Sequence, residues 1–360
     1  MNIAQIAPLY ESCPPRFYGG TERVVAYLTE ELVRLGHRVT LFASADSVTS
    51  AVLEPGCEQA LRFDCRCGDP LVHHLVMLDR VRRRANEFDI LHFHTDYLHF
   101  PLFGEFWNKT LTTLHGRLDL PDLPAMMRHF AMMPLVSISD AQRTPVQWAN
   151  WRGTVPHGLP HHLHRGGNGG GGYLAFLGRV SPEKGVDRAI AIARRVGLPL
   201  QIAAKVDRVD QTYYDDVIAP LVADPLIEFI GEIGEADKGS FLGDAVALLF
   251  PIDWPEPFGL VLIEAMANGT PVIAFRRGSV PEIIEDGVTG FIVEDVAAAA
   301  AAAPRAAALD RRAIRRRFEE RFTAERMACD YLALYNRLLG QHGRRMLDLG
   351  ECGDAAEAAD

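Results

Sequence analysis

Two carboxylates in the segment 251–275, PIDWPEPFGLVLIEAMANGTPVIAF, are spaced as ligand-binding groups could be. Glu256 directly precedes a PFG motif, and Glu264 lies eight residues after Glu256. Because proline suits the first position of a helix, we expect a helix that begins at Pro257 and carries Glu264 about two turns inside it. The rise of an α-helix then separates the two carboxylates by roughly 12 Å along the axis. That distance is close to the span of a nucleotide-sugar.

The start of this helix is a candidate anion site. Gly259 lets a ligand approach the backbone, and the free N–H groups of a helix start carry partial positive charge. A diphosphate over that terminus would place a sugar at Glu256 and a ribose at Glu264. The alternative is that Glu256 only offsets the helix dipole and that Glu264 is a surface charge. An unpaired carboxylate within the apolar stretch LVLIEAMA would be costly, which disfavours that alternative.

The composition is that of a globular protein and excludes several other classes. The 360 residues are 48% apolar and 23% charged, which indicates about two domains with ordinary cores. Lys and Arg number 37 against 47 Asp and Glu, a net charge of −10, so no overall basic field attracts nucleic acid. No basic segment followed by a long apolar run opens the chain, and we expect a cytoplasmic protein. The six cysteines show no C-x-x-C spacing and are expected to be reduced.

Alternating apolar runs and helical stretches predict an α/β fold. Residues 2–43 have the pattern of a β-loop-α-β unit, with Gly19 and Gly20 in its first loop. The runs DILHFH, TLTTLH and LVSIS follow, and they are typical of buried parallel strands whose carboxyl ends carry function. A second alternation of the same kind begins at YLAFLG. The sequence therefore predicts two Rossmann-like, doubly wound domains that face each other across a ligand-binding cleft.

The glycine-rich run RGGNGGGG supplies the predicted boundary between the domains, because such a sequence is expected neither to pack nor to hold regular structure. We predict a first domain at 1–165, a flexible linker at 166–172 and a second domain at 173–325. A C-terminal helix at 326–345 could return to the first domain, and an acidic tail is expected at 346–360.

Several motifs together resemble the retaining glycosyltransferases of family 4, which have the GT-B fold. They are GGTE, LHGRLD, SISDAQR, LGRVSPEKG, the PEPFGLVLIEAMA segment with the GTPVIAFRRGSVPEIIEDGVTGFIV that follows it, and RFTAERMACDYLALY. These motifs occur in this order over most of the chain. The resemblance implies an acceptor-side first domain and a second domain that binds a nucleoside diphosphate sugar. It implies transfer of a hexosyl group with retention, and UDP-glucose is the expected donor.

The resemblance also implies roles for individual residues. An arginine and a lysine hold the donor diphosphate in this family, and the matching residues are Arg179 and Lys184, just after a predicted strand and beside a predicted helix start. Two cations there could neutralise charge on a leaving diphosphate, although a surface charge pair is the alternative. By the same resemblance, His115 would lie beside the transferred sugar. The predicted catalytic residues are His115, Arg179, Lys184 and Glu256. The predicted donor-binding residues are Gly19, Gly20, Arg179, Lys184, Glu232, Ile233, Glu256, Pro257, Phe258, Gly259, Leu260 and Glu264.

The acceptor is not identified by the sequence. Loops of the first domain are expected to form its pocket, with Tyr97, Asp119 and Asp140 as candidates. The arginines at 80–84 could face a lipid surface, but a solvated surface is the preferred interpretation. The oligomeric state stays open.

No metal or other cofactor is expected, only the nucleoside diphosphate sugar as co-substrate. His92 and His94 share one strand face near Asp96, and further histidines precede the glycine run, so a metal site is an alternative. The sequence has no Asp-x-Asp pair of the kind that would bind a metal-diphosphate complex.

Three other functions fit parts of the pattern. A nicotinamide-dependent enzyme would share two Rossmann-like domains, but no G-x-G-x-x-G follows the first strand. A sugar-nucleotide epimerase or a phosphorylase could have the same fold, since fold alone does not decide function. A non-catalytic nucleotide-sugar-binding protein is the third.

Overall fold

The computed structural model describes residues 1–164 and 166–354, with side chains up to residue 340. Its strands are β1 (Asn2–Ile6), β2 (Arg38–Ser44), β3 (Val52–Cys57), β4 (Ile90–Phe93), β5 (Thr110–Thr113), β6 (Leu135–Ser137), β7 (Trp151–Thr154), β8 (Leu174–Arg179), β9 (Leu200–Lys205), β10 (Ile227–Gly231), β11 (Ala247–Phe250), β12 (Val272–Phe275) and β13 (Gly290–Val293).

The helices alternate with these strands. They are α1 (Gly20–Arg34), α2 (Pro70–Arg83), α3 (Leu123–His129), α4 (Asp140–Arg143), α5 (Val186–Val196), α6 (Gln211–Tyr213), α7 (Ala219–Leu221), α8 (Glu235–Asp244), α9 (Leu260–Ala267), α10 (Val280–Ile283), α11 (Val296–Ala307), α12 (Arg311–Arg321) and α13 (Ala324–Asp354).

The strands form two separate parallel sheets. The first has the order β3-β2-β1-β4-β5-β6-β7 and the second the order β10-β9-β8-β11-β12-β13. Successive residues of β1 enter opposite apolar layers, since Ile3 packs towards α1 and α13 while Ala4 packs towards α2. In the second sheet, Ala175 packs towards α8 and α9 and Leu174 towards α5 and α11. Such two-sided burial explains the near-continuous apolar strand sequences, and the predicted α/β fold of two doubly wound domains is confirmed.

The C-terminal helix α13 packs on the first domain. Met327, Tyr331 and Tyr335 are completely buried against a layer that includes Ile3 of β1 and Leu28 of α1. The helix begins two residues before the predicted 326–345 segment and continues to Asp354, into the predicted acidic tail. Residues 355–360 of that tail lie outside the described part.

The glycine-rich segment is packed, contrary to the expectation that it could not pack. The amides of Gly167, Gly169 and Gly171 donate hydrogen bonds to backbone carbonyls of the second domain, at 2.9–3.0 Å. A β-carbon at Gly167 would lie 2.1 Å from the carbonyl oxygen of Gly243, so the absence of a side chain is what allows the contact. The described residues of this segment therefore form part of the surface of the second domain.

The chain crosses between the domains at two adjacent points. Leu159 forms an isolated parallel bridge with Thr323, and the amide of Ala324 donates to the Leu159 carbonyl at 2.8 Å. Gly158 lies against the same turn, where a β-carbon would be 2.2 Å from the Thr323 carbonyl oxygen. The close approach of the two backbones requires glycine at that position.

We expect the Gly158→Ala substitution to destabilise the protein by about 1–3 kcal/mol, because the added methyl group would push the two crossing segments apart. Urea unfolding measures the change. Gly104→Ala is the matched control, since a β-carbon there would meet no atom within 4 Å. Equal unfolding free energies for the two variants would contradict the close packing at the crossing.

Candidate active site

A cavity of about 690 Å³ lies between the two domains, at the carboxyl ends of both sheets. It brings together most of the residues that the sequence predicted for the site. The predicted residues that line it are Gly19, Gly20, Tyr97, His115, Arg179, Lys184, Glu232, Ile233, Glu256, Pro257, Phe258, Gly259, Leu260 and Glu264.

Two predicted acceptor-side residues lie outside this lining. Asp119 forms a two-point ion pair with Arg117, with both N···O distances at 2.6 Å. Asp140 accepts a hydrogen bond from the Thr154 hydroxyl at 2.6 Å. Both carboxylates are engaged by neighbours in sequence or on the adjacent strand and do not line this cavity, and their place on the acceptor side stays a prediction.

The glycine before α9 sets the shape of the cavity floor. Gly259 has φ 83°, in the left-handed region where a β-carbon would be strained, and α9 begins directly after it at Leu260. The predicted helix start at Pro257 is therefore wrong by three residues, and Glu264 lies about one turn inside the helix. The carbonyl of Pro257 accepts from Ser139 at 2.6 Å, and that of Phe258 accepts from Ser279 at 2.8 Å. These bonds hold the turn so that the first amides of α9 border the cavity.

Lys184 and Glu256 form an ion pair on one cavity wall. Lys184 Nζ lies 2.6 Å from Glu256 Oε2, and the indole N–H of Trp254 donates to the same oxygen at 3.0 Å. The ammonium group also lies 4.5 Å from the centre of the Trp254 ring. Both side chains are mostly shielded from solvent, so the pair is held in one geometry.

Arg179, at the end of β8, is surrounded by acids. Its guanidinium lies 3.1 Å from Glu183, 3.3 Å from Asp210 and 3.6 Å from Asp207. These carboxylates fix the orientation of the guanidinium at the cavity edge.

Glu264 is buried, but it is paired. Lys238 of α8 lies 2.6 Å from its carboxylate. Burial alone would raise the pKa of Glu264, but the charges of Lys238 and Arg23 hold that pKa below its ordinary value. Sequence reasoning missed Lys238, because a partner 26 residues away on another helix leaves no local signal.

Polar contacts join the two domains around the cavity. The amide of Tyr18 donates to Glu232 Oε1 at 3.1 Å, and Arg23 of α1 forms an ion pair with Glu235 of α8. On the other side, Glu282 accepts from the two amides at residues 140 and 141, each at 2.7 Å. The structure therefore has the domains in contact on both sides of the cavity.

His115 lies among other imidazoles at the end of β5. Its Nε2 is 2.9 Å from His94 Nδ1, and its ring stacks on that of His157 at 5.2 Å. His157 in turn contacts Phe258 with ring centres 4.8 Å apart, which connects the first domain to the PFG turn. Burial lowers the pKa of His115 to about 3, so the ring is neutral near pH 7.

Asp96 and Glu22 are among the further acids that line the cavity and that the predicted site left out. Asp96 has φ 49°, and among the described residues no other residue except glycine has a positive φ. Backbone strain of this kind is often found at functional sites. Desolvation raises the pKa of Asp96 to about 6, with partial opposition from the backbone amide of His115. Burial raises the pKa of Glu22, in the first turn of α1, to about 7. Their positions after a β-strand and within the GGTE motif were the available signals.

The histidines that suggested a metal site have other partners. His92 and His94 are completely or almost completely buried and bond to Gln5, Thr113 and Tyr335. Among the described residues, no group of three or more His, Cys, Asp or Glu side chains could hold a metal ion. Over the same part of the chain, no helix is long and apolar enough to cross a membrane.

Two family models match successive parts of the chain. Residues 18–152 match the Glycosyltransferase Family 4 model, and residues 165–324 match the model for glycosyl transferases group 1. The first match begins after β1 and ends within β7, and the second contains β8 to β13, so one match falls on each domain.

Curated relatives match shorter stretches. The chain is 29% identical over 210 residues to the D-inositol 3-phosphate glycosyltransferase of Salinispora tropica, over 50% of this chain and 42% of that relative. It is 32% identical over 189 residues to a glycogen synthase of Mycobacterium tuberculosis, over 48% of this chain and 44% of that relative. The alignments span less than half the length of these relatives.

Solved structures share the architecture over almost the whole chain. Sucrose-phosphate synthase from Thermosynechococcus elongatus has a TM-score of 0.76 at 19% identity, covering 95% of this chain and 100% of that one. Anabaena HepE in complex with UDP and glucose has a TM-score of 0.69 at 18% identity, covering 92% and 98%. Together with these matches, the two parallel-sheet domains that face each other across a cavity place the chain in the GT-B class of folds. Within that class, the chain belongs to the family 4-like glycosyltransferases.

The buried Glu22 carboxyl should make stability depend on pH. Its pKa is raised in the folded protein, so the proton it holds stabilises the fold at low pH, and that contribution is lost as pH rises from about 4.5 to about 7. Glu22→Gln keeps an oxygen for the Glu11 amide, which donates at 3.3 Å, and removes the titration. We therefore expect the variant to gain stability relative to the parent across that window, by about 3 kcal/mol at most.

Chemical unfolding at intervals between pH 4.5 and pH 8 measures this difference. The control is Glu325→Gln. It removes one negative charge from an exposed side chain near the opposite end of the chain. A difference between Glu22→Gln and the parent that stays constant with pH would contradict the raised pKa.

Proposed function

We propose that the chain transfers a hexosyl group from a nucleoside diphosphate sugar to an acceptor hydroxyl, with retention of anomeric configuration. The observation that carries this proposal is the inter-domain cavity, where the amides after Gly259 and the cations Arg179 and Lys184 border one space. Carboxylates at Glu256 and Glu264 lie on the walls of the same space. Such a site offers positive charge to a diphosphate and acceptors to the hydroxyl groups on each side of it.

The donor is proposed to lie along α9. The diphosphate would rest over the first amides of the helix, with the sugar towards Glu256 and the ribose towards Glu264. Lys184 and Trp254 both bond Oε2 of Glu256, so Oε1 can accept from a sugar hydroxyl. Glu264 would accept from ribose as a charged carboxylate, since its neighbours keep its pKa low. We propose UDP-glucose as the donor; the structural neighbour HepE was crystallised with UDP and glucose.

The reaction breaks the bond between the sugar anomeric carbon and the β-phosphate oxygen and forms a bond from the same carbon to the acceptor oxygen. Negative charge grows on the departing diphosphate, and the acceptor proton passes to it on the same face of the sugar. Arg179, Lys184 and the start of α9 would stabilise that charge, and we propose that they do so without a metal ion. His115 is neutral and would accept a hydrogen bond from the transferred sugar.

Contacts between the domains would keep water from competing with the acceptor. The bonds from Tyr18 to Glu232 and from the start of α4 to Glu282 connect the two domains beside the cavity. An enclosed site strengthens electrostatic interactions and limits hydrolysis of the donor. On the acceptor side, Tyr97 and Asp96 line the cavity wall of the first domain and are proposed to contact the acceptor.

A thermal-shift screen of UDP-, GDP- and ADP-glucose tests the donor. A ligand at 100 times its dissociation constant stabilises the fold by about 2.7 kcal/mol. We expect the largest thermal shift with UDP-glucose. For Lys184→Met we expect roughly a 10²- to 10³-fold lower kcat/KM, because a group that stabilises the charge on the leaving diphosphate is removed. Arg66→Gln removes a charge from an exposed ion pair and is the control.

Product analysis completes that test. NMR of the product should show the anomeric configuration of the donor, and added phosphate should release no hexose 1-phosphate. An inverted product, or turnover that requires phosphate, would overturn the proposed reaction. Equal donor shifts for Lys184→Met and the parent, with equal rates, would remove Lys184 from the site.

A further inference from the structure

A continuous chain of hydrogen bonds runs from His115 into the core of the first domain. We call this chain the polar relay; its members are Gln5, His92, His94, Thr113, His115, Tyr331 and Tyr335. All except His115 are completely or almost completely buried. Burying so many polar groups is costly unless each has a partner, and here each has one. The tyrosines come from α13, so the C-terminal helix takes part in the relay.

The Gln5 amide gives the relay a direction. Its Nε2 lies 3.1 Å from the Tyr335 hydroxyl and 3.4 Å from His92 Nδ1, and its Oε1 lies 2.9 Å from His94 Nε2. An amide oxygen only accepts, so His94 must donate from Nε2. Burial lowers the pKa of His94 far below its ordinary value, and a neutral imidazole has one donor and one acceptor. Nδ1 of His94 therefore accepts.

The same reasoning extends to the cavity. His115 Nε2 lies 2.9 Å from the accepting His94 Nδ1, so it carries the proton and donates. A neutral His115 then has its lone pair on Nδ1. Among the described residues, no hydrogen-bond partner of Nδ1 is found, and the ring lines the cavity. The lone pair is available to a hydroxyl group there.

The other end of the relay is consistent with this direction. The Tyr335 hydroxyl accepts from Gln5 Nε2 and lies 2.7 Å from His92 Nδ1, to which it can donate. His92 Nε2 then donates to the Thr113 hydroxyl at 2.8 Å, and Thr113 lies 2.9 Å from the Tyr331 hydroxyl. The amide oxygen of Gln5 thus sets the protons from His94 to His115, whereas either hydroxyl can donate in the bond between Thr113 and Tyr331.

We infer that Gln5 is a positioning residue that, through His94, fixes His115 in the tautomer with Nδ1 unprotonated, as an acceptor for a hydroxyl of the bound sugar. The relevance to a sugar rests on the proposed function; the tautomer does not. Gln5 touches no substrate and acts only through the imidazoles between it and the cavity. The role of α13 is to anchor the relay with Tyr335.

The tautomer can be read directly in the protein without substrate. Long-range ¹H–¹⁵N spectra of protein with ¹⁵N-labelled histidine distinguish protonated from bare ring nitrogens, and His115→Asn identifies the His115 signals by their loss. We expect Nε2 of His115 to be protonated in the parent and the proton to be shared between both nitrogens in Gln5→Met. Protonated Nδ1 in the parent, or a Gln5→Met spectrum identical to it, would overturn the inference.

A second variant and a control act away from Gln5. Tyr335→Phe removes the hydroxyl that accepts from Gln5 Nε2 and holds the amide, whereas Thr112→Val, equally buried in the same domain, loses only a bond to His99. Tyr335→Phe decides the question by the same spectra if Gln5→Met does not fold. We expect Tyr335→Phe to alter the His115 signals and Thr112→Val to leave them unchanged; the same response to both would contradict the relay.

Kinetics provide the functional readout once the donor is known. Loss of a correctly placed acceptor should lower kcat by roughly tenfold to a hundredfold in Gln5→Met, with the KM for the donor within about twofold. Thr112→Val should keep the parental kcat. If no donor is turned over by the parent, the proposed function fails while the spectra still decide the tautomer. Unchanged kcat in an active Gln5→Met enzyme would contradict the positioning role.

Discussion

The left-handed turn at Gly259 is the constraint on which the site depends. A glycine there lets the chain leave β11, turn sharply and begin α9 with its free amides at the cavity. The hydroxyl groups of Ser139 and Ser279 bond the two carbonyls just before the turn, and Ser139 belongs to the other domain. Partial positive charge is therefore fixed where both domains meet, and the proposed diphosphate site follows from that placement.

The charged side chains around the turn form ion pairs with each other. Lys184 is paired with Glu256, and Lys238 with Glu264. Pairing keeps Glu264 ionised in spite of burial, as its lowered pKa indicates. Where pairing is weaker, as at Glu22, burial raises the pKa instead. The cavity thus contains carboxylates with different protonation behaviour, a common property of catalytic sites.

Sequence reasoning located what is local in the chain. Both sheets could be predicted because strands buried on two sides have near-continuous apolar sequences. The motif residues lie in one cavity because the carboxyl ends of parallel strands share one edge of a sheet. It misplaced the start of α9, since Pro257 fits a first helical position equally well and only the φ of Gly259 decides. The position of Asp119 and the packing of the glycine segment depend on contacts that composition does not reveal. The same is true of the pairing of Lys238 with Glu264 and of the polar relay.

A crystal structure of the protein with UDP bound would show where the diphosphate lies. We expect a β-phosphate within hydrogen-bonding distance of the first amides of α9 and of Lys184, with the ribose hydroxyls at Glu264. A nucleotide found at any other surface, or bound in the cavity with its phosphates away from the Gly259 turn, would contradict that expectation.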